Sequence, residues 1–298
     1  MQARLVAGLR RFENVGIVLA AVALGVVVPG PGRYADVLVT PLVVFLIYGS
    51  LRGVSVADVE SRSYGLAILC SLGISYVLLP FGGIRAADAL LAGDALTGMA
   101  IVLAAPTTAG SAIVWTRLVG GDSKLAALAS IGSLGVAPLL TPAVLSALLD
   151  RRAVVPVESM AFDLLVIVVG GVGLLVVIPD RLVSETAVDR GSGVTILVLI
   201  YSSIASVEVG AIDAAGFGAV SAVVLLLLGG GFALVRFAGH VAGVDRSTYL
   251  PLFFTGGLKN LGIALVIAFA YASATVVVVV VTYYVLQQVV GAVVADLA

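Results

Sequence analysis

Apolar residues run along almost the whole chain in long stretches, separated by short clusters of Pro, Gly and charged residues. Stretches of this kind are long enough to cross about 30 Å of hydrocarbon as helices, and the alternation of barrel strands is not visible. Cutting at the polar clusters predicts ten spans, roughly 14–29, 35–51, 63–83, 90–118, 124–149, 157–178, 192–211, 214–239, 248–273 and 275–296. The longest polar connection, PDRLVSETAVDRGSG at 179 to 193, is the one stretch with linker character. The pattern therefore predicts an all-α integral membrane protein with ten transmembrane helices and no soluble domain.

Composition agrees. Hydrophobic residues make up 61% of the 298 and charged ones 11%, with a mean hydropathy of +1.22, whereas a soluble domain carries about 25% charge. A net charge of −1 leaves no basic patch for nucleic acid or a polybasic membrane anchor. The single cysteine, Cys70, makes no internal disulfide, and the single histidine, His240, builds no metal cluster alone. The N-terminal apolar stretch lacks a small-residue cleavage site and reads as a retained first helix.

With the N-terminus in the cytoplasm, eleven basic residues fall on that side, against Arg33, Arg85, Arg151 and Arg152 on the other. The positive-inside rule then places both termini in the cytoplasm of a multi-pass cell-membrane protein. Five spans precede the Asp150-Arg151-Arg152 cluster and five follow it, so residues 1–150 and 151–298 enter the membrane from opposite sides, as an inverted repeat requires.

The fourth span of each half is interrupted. LAAPTTAGSAIVW (103 to 115) puts Pro and Gly at mid-membrane, and FFTGGLKNLGIAL (253 to 265) puts there a Gly pair, a lysine and an asparagine. Both spans should be broken and cross near the midplane, an arrangement that points to the substrate site of a secondary transporter. Each break exposes N–H groups at one new helix end and carbonyls at the other. The N-termini near Ala109-Gly110-Ser111 and Asn260 would favour an oxyanion. The carbonyls near Ala104-Ala105 and Phe254-Thr255 would favour a cation, either a bound ion or an ammonium on the chain itself.

The segments APTTAGSAIVWTRLVGGDSKLAALASIGSLGVAPLLTP (105 to 142) and GGLKNLGIALVIAFA (256 to 270) resemble helices 4, 5 and 9 of the bile acid:sodium symporter family, which is similar in fold to the arsenite-efflux permeases. The resemblance implies a panel domain of spans 1, 2, 6 and 7, a core domain of spans 3–5 and 8–10, and alternating access by movement of one against the other. It also implies where sodium ligands would lie, and these positions have changed. The family's ninth-helix glutamate and glutamine fall on Thr255 and Lys259, while Asn260 persists. Its Ser-Asn pair falls on Ser111 and Ala112, its fifth-helix hydroxyls on Ser130 and Ala126, and its third-helix glutamine on Ser75. Too few oxygens remain for a hard cation.

Lys259 then reads as a tethered substitute for sodium, and as a candidate proton carrier. Its plain structural alternative is a lysine whose stem is buried while its head reaches a polar pocket or a carboxylate. Thr107, Thr108, Gly110, Ser111, Thr255, Gly256 and Asn260 are the candidate substrate-binding residues; Lys259 and Ser130 are the candidate ion-coupling residues. For the hydroxyls the alternative is capping of the unwound backbone. Glu13, Asp163 and Glu208 read as carboxylates reaching interfacial water, Gln287 and Gln288 as interhelical hydrogen-bond partners, and Trp115, Tyr283 and Tyr284 as packing.

The expected function is a carrier for a small organic anion in the lipid bilayer, with no cofactor, sodium not favoured and proton coupling left open. An efflux permease for arsenite or another metabolite is the alternative, weakened because Thr107 stands where that family carries a cysteine. An enzyme is not expected, since the sequence offers one loop histidine and no HExxH motif, and no carbonyl filter or pore-lining ring suggests a channel.

Overall fold

The structure is a computed structural model that describes residues 13–32, 38–52, 62–149, 156–179, 181–205, 213–271 and 273–297. Among these residues every regular element is helical: α1 (Glu13–Val27), α2 (Pro29–Gly32), α3 (Val39–Leu51), α4 (Arg62–Gly73), a π-turn (Ile74–Leu78), α5 (Leu79–Asp88), α6 (Gly93–Ala104), α7 (Ala109–Leu118), α8 (Ser123–Leu149), α9 (Val157–Val177), α10 (Glu185–Ala205), α11 (Ala214–Val241), α12 (Arg246–Gly257), α13 (Leu261–Ala270) and α14 (Ala274–Leu297). Among the described residues, six helices are long and apolar enough to cross a membrane: Tyr64–Asp88 (taken through the π-turn), α8, α9, α10, α11 and Ala274–Asp296. The protein is an all-α membrane protein.

Two boundaries differ from the sequence expectation, and both differences come from the water-facing ends. The third span continues to Asp88, with Arg85 in the last turn, where it complements the negative helix end. The polar stretch 179–193 is no linker, because α10 begins at Glu185. Ser184 caps it by accepting the Ala187 N–H at 3.2 Å, and Glu185 lies in the first turn, so a polar segment forms helix outside the hydrocarbon. Asp122 does the same for α8, accepting the N–H groups of Lys124 and Leu125 at 2.9 and 3.0 Å. The basic cluster at Arg151 and Arg152, Arg33, and Glu208 lie outside the described residues.

Packing is set by which helices can hide both faces. α8 and α14 are the most enclosed of the long helices, 61% and 67% buried over their apolar windows, whereas α9 and α11 are 28% buried and leave most of their apolar surface uncovered by the protein. α1 packs on α10, and α3 packs on α9 and α10. Of the short helices, α6 and α7 pack on both α8 and α14, α12 packs on α8 and α13 on α14; α6 meets α13, and α7 meets α12. Small residues permit these approaches, since lipid supplies no hydrophobic drive and close van der Waals contact must hold the helices. At Gly98 in α6, an added Cβ would lie 2.9 Å from Val279 Cβ and 3.0 Å from the Val276 carbonyl of α14.

Gly98→Ala is therefore expected to cost about 1–3 kcal/mol, read as a lower unfolding midpoint in detergent. Gly230→Ala, where an added Cβ meets nothing within 4 Å, should leave the midpoint unchanged within about 0.5 kcal/mol.

Candidate functional site

Both interrupted spans break where the sequence predicts. α6 stops at Ala104 and α7 starts at Ala109; α12 stops at Gly257 and α13 starts at Leu261. Pro106 offers no N–H to continue α6, and the residue before it is pushed to extended backbone, with Ala105 at φ −63° and ψ 150°. Leu258 and Asn260 are also extended. The two extended pieces pair antiparallel at Thr107 and Lys259. The Thr108 N–H donates to the Leu258 carbonyl at 3.1 Å, and the Asn260 N–H donates to the Pro106 carbonyl at 2.8 Å. Two unwound segments thus satisfy each other, as non-helical backbone at membrane depth requires.

Lys259 lies at the centre of this pairing with 2% of its surface exposed. Its ammonium donates to the Ser75 carbonyl at 2.7 Å, to Ser75 Oγ at 3.0 Å and to the Ala105 carbonyl at 3.1 Å. The Tyr76 ring stands 5.8 Å from Nζ, within cation–π range. An ammonium has three donors, and three neutral oxygens receive them. The head therefore lies in a polar pocket of the protein's own oxygens, with no carboxylate among its partners.

The peptide of Lys259 is held as firmly as its head. Gln287 of α14 accepts its N–H at 2.8 Å and donates to its carbonyl at 3.0 Å, so one side-chain amide completes both backbone groups. Tyr283, one turn earlier, donates to the Gly257 carbonyl at 2.9 Å. Ser133 Oγ accepts the Thr107 N–H at 3.0 Å, and Tyr76 OH donates to the Ser133 carbonyl at 3.0 Å. The sequence marks Gln287 and Gln288 as interhelical hydrogen-bond partners of which one could reach the site, and Gln287 does; it marks Tyr283 as packing and gives no sign of Ser133 or Tyr76. Only the i, i+4 spacing of Tyr283 and Gln287 on one face of α14 signals a shared neighbour.

The candidate residues divide into two groups. Thr107, Thr255 and Gly256 are buried, and the hydroxyls of both threonines are already engaged. Thr107 Oγ1 donates to the Thr255 carbonyl; Thr255 Oγ1 donates to the Pro251 carbonyl at 2.7 Å and accepts from Ser71 at 2.7 Å. An added Cβ at Gly256 would stand 2.4 Å from Ile74 Cγ2, so its role is close approach. Thr108, Gly110, Ser111 and Asn260 remain partly exposed. Asn260 caps α13, accepting the Ile263 N–H at 3.1 Å, whereas Thr108 makes no side-chain cap on α7. Ser111 Oγ accepts from Gln288 at 3.0 Å, and Gln288 also accepts from Trp115 at 3.1 Å. Gly110 faces the α3 side chain Ser50, 3.6 Å from where a Cβ would stand.

The Ser130 hydroxyl donates to the Ala126 carbonyl of its own helix at 2.7 Å. The cation-favouring carbonyl expected at Thr255 is taken by Thr107, and Ser75, on a different helix, supplies the oxygen instead. Among the described residues no three His, Cys, Asp or Glu side chains gather in a way that could hold a metal ion.

A family model described as the SBF-like CPA transporter family matches residues 15–298. The chain belongs to this family. That places it among membrane transporters and agrees with the resemblance to the bile acid:sodium symporters in the two interrupted segments. No curated protein matches the chain. As a member of the SBF-like CPA transporter family it carries, at the crossing of α6–α7 and α12–α13, a lysine ammonium enclosed by peptide oxygens.

Replacing Gln287 by Leu leaves the Lys259 N–H and carbonyl unpaired in a dry site. Stability should fall by about 2 kcal/mol or more, seen as a lower thermal or denaturant midpoint. Gln287→Glu keeps an acceptor but loses the donor, so its midpoint should fall between those of the Gln287→Leu variant and the native protein when the three are measured together.

Proposed function

We propose that the protein is a secondary carrier for a small organic anion, working by alternating access without sodium coupling, because the Lys259 ammonium holds the position a coupling cation would take. The observation that carries this reading is the buried ammonium with three oxygen acceptors at the crossover. The carbonyl end of α6 needs positive charge in a medium without water, and a charge on a covalent stem supplies it permanently. Of the other positions that the family resemblance assigns to sodium, Thr255 and Ser130 direct their hydroxyl protons to carbonyls of their own helices, and Ala112 and Ala126 bring no side-chain oxygen.

The anion would bind at the other pole of the breaks. Thr108, Gly110, Ser111 and Asn260 form the accessible rim, and the first-turn N–H groups of α7 lack a side-chain cap. Thr107, Thr255 and Gly256 shape this rim from beneath. In this reading residues 1–150 and 151–298 form two inverted halves of five spans in the cell membrane, both termini cytoplasmic. The packing of α1 and α3 on α9 and α10 suits a panel, and the enclosure of the crossover by α8 and α14 suits a core that moves against it. The matched count of ammonium donors and acceptors favours a lysine that keeps its proton, so proton coupling is not part of the proposal.

A thermal-shift screen of carboxylates and sulfonates in sodium and in potassium buffer, followed by counterflow of the best binder in proteoliposomes, tests the reading. Saturable uptake, accelerated by substrate on the far side and equal in both salts, is expected. Strong stabilisation of the native chain by millimolar sodium, or uptake that requires it, would sink the substitution idea. Lys259→Gln, which restores an uncharged oxygen ligand, should gain a sodium-dependent shift that the native protein lacks.

A further inference from the structure

The Ser75 carbonyl makes the shortest of the three contacts to the ammonium, yet in an ordinary helix it would not be free. An α-helix would give it the Leu79 N–H. Here the backbone widens to a π-turn over Ile74–Leu78, and the Leu79 N–H goes to the Ile74 carbonyl instead. A π-turn continued by one residue would give Ser75 the N–H of residue 80. Residue 80 is proline and has none to give. The register shift removes one donor and Pro80 removes the other, so a buried carbonyl in the middle of a membrane span is left for a partner from another helix.

We infer that Pro80 is a positioning residue: together with the π-turn it reserves the Ser75 carbonyl as a ligand for the positive charge at the crossover. It touches neither the ammonium nor a substrate and acts only through the hydrogen bond it withholds. This deepens the reading of the Lys259 surroundings as a cation site and rests on it. The consequence is that the charge-neutralising device spans three parts of the chain, α4–α5, the α6–α7 break and the α12–α13 break. Any residue with an N–H at position 80 would compete internally for the oxygen.

The test removes the chain's own cation and asks whether the cradle takes a free one. Lys259→Ala should be stabilised by n-propylammonium chloride, the piece of side chain deleted, relative to choline chloride in the same detergent. In Lys259→Ala with Pro80→Ala, the new N–H occupies the Ser75 carbonyl, and the propylammonium concentration needed for the same shift should rise about tenfold or more. Pro80→Val supplies the same N–H on a side chain of similar volume and serves if the alanine variant does not fold. Pro138→Ala, which removes a proline from α8 without adding a donor at Ser75, should leave the response unchanged. Equal propylammonium responses with and without the Pro80 substitution would overturn the role of Pro80 while leaving the cation site standing. No response in Lys259→Ala alone would overturn the cation site itself and the inference with it.

Discussion

A membrane span that unwinds must find partners for every peptide group it releases, because hydrocarbon offers none. At the crossing of α6–α7 with α12–α13 that demand is met almost entirely by the protein's own groups. The two extended segments pair with each other, Gln287 completes both backbone groups of Lys259, Ser133 and Tyr283 take single groups, and the ammonium takes two carbonyls and a hydroxyl. A lone ammonium at this depth is costly on any insertion scale. It is tolerated because carbonyl oxygens at a helix C-terminal end carry the complementary partial charge, and because the site excludes water that would weaken each contact.

The enclosing architecture follows from this one requirement. α8 and α14 are buried on most of their surface because they wall the crossover, and they carry the small and hydroxylated side chains that let backbones approach and supply single hydrogen bonds. The glycines that matter do so by proximity: Gly256 lies against Ile74 of the π-turn, and Gly98 against the backbone of α14. The crossover is thereby divided into a dry interior, with Thr107, Thr255 and Lys259, and a partly exposed rim, with Thr108, Gly110, Ser111 and Asn260. The ammonium on its covalent stem gives this crossing a positive charge supplied by the chain itself.

Much of the fold is legible in the chain because its signals are local. Hydrophobic run length identifies the six helices long enough to cross a membrane, Pro106 and the Gly256-Gly257 pair mark the breaks, and a lysine among apolar residues marks the crossing of the two interrupted segments. Local signals also mislead in predictable ways. ETAVDRGSG reads as part of a linker because it is polar, yet it is the water-exposed start of α10 under a Ser184 cap.

That this is a helical membrane protein, that two spans are interrupted, and that Lys259 must be neutralised all follow from the order of residues alone. What neutralises Lys259 does not. The oxygens that hold the ammonium lie 184 and 154 residues away along the chain, and the amide that holds its peptide lies 28 away on another helix. Periodicity and breaker residues describe what one segment does along its own axis. Which carbonyl of a neighbouring helix points at a given side chain depends on the rotation and depth at which those helices pack, and those are properties of the assembled fold alone.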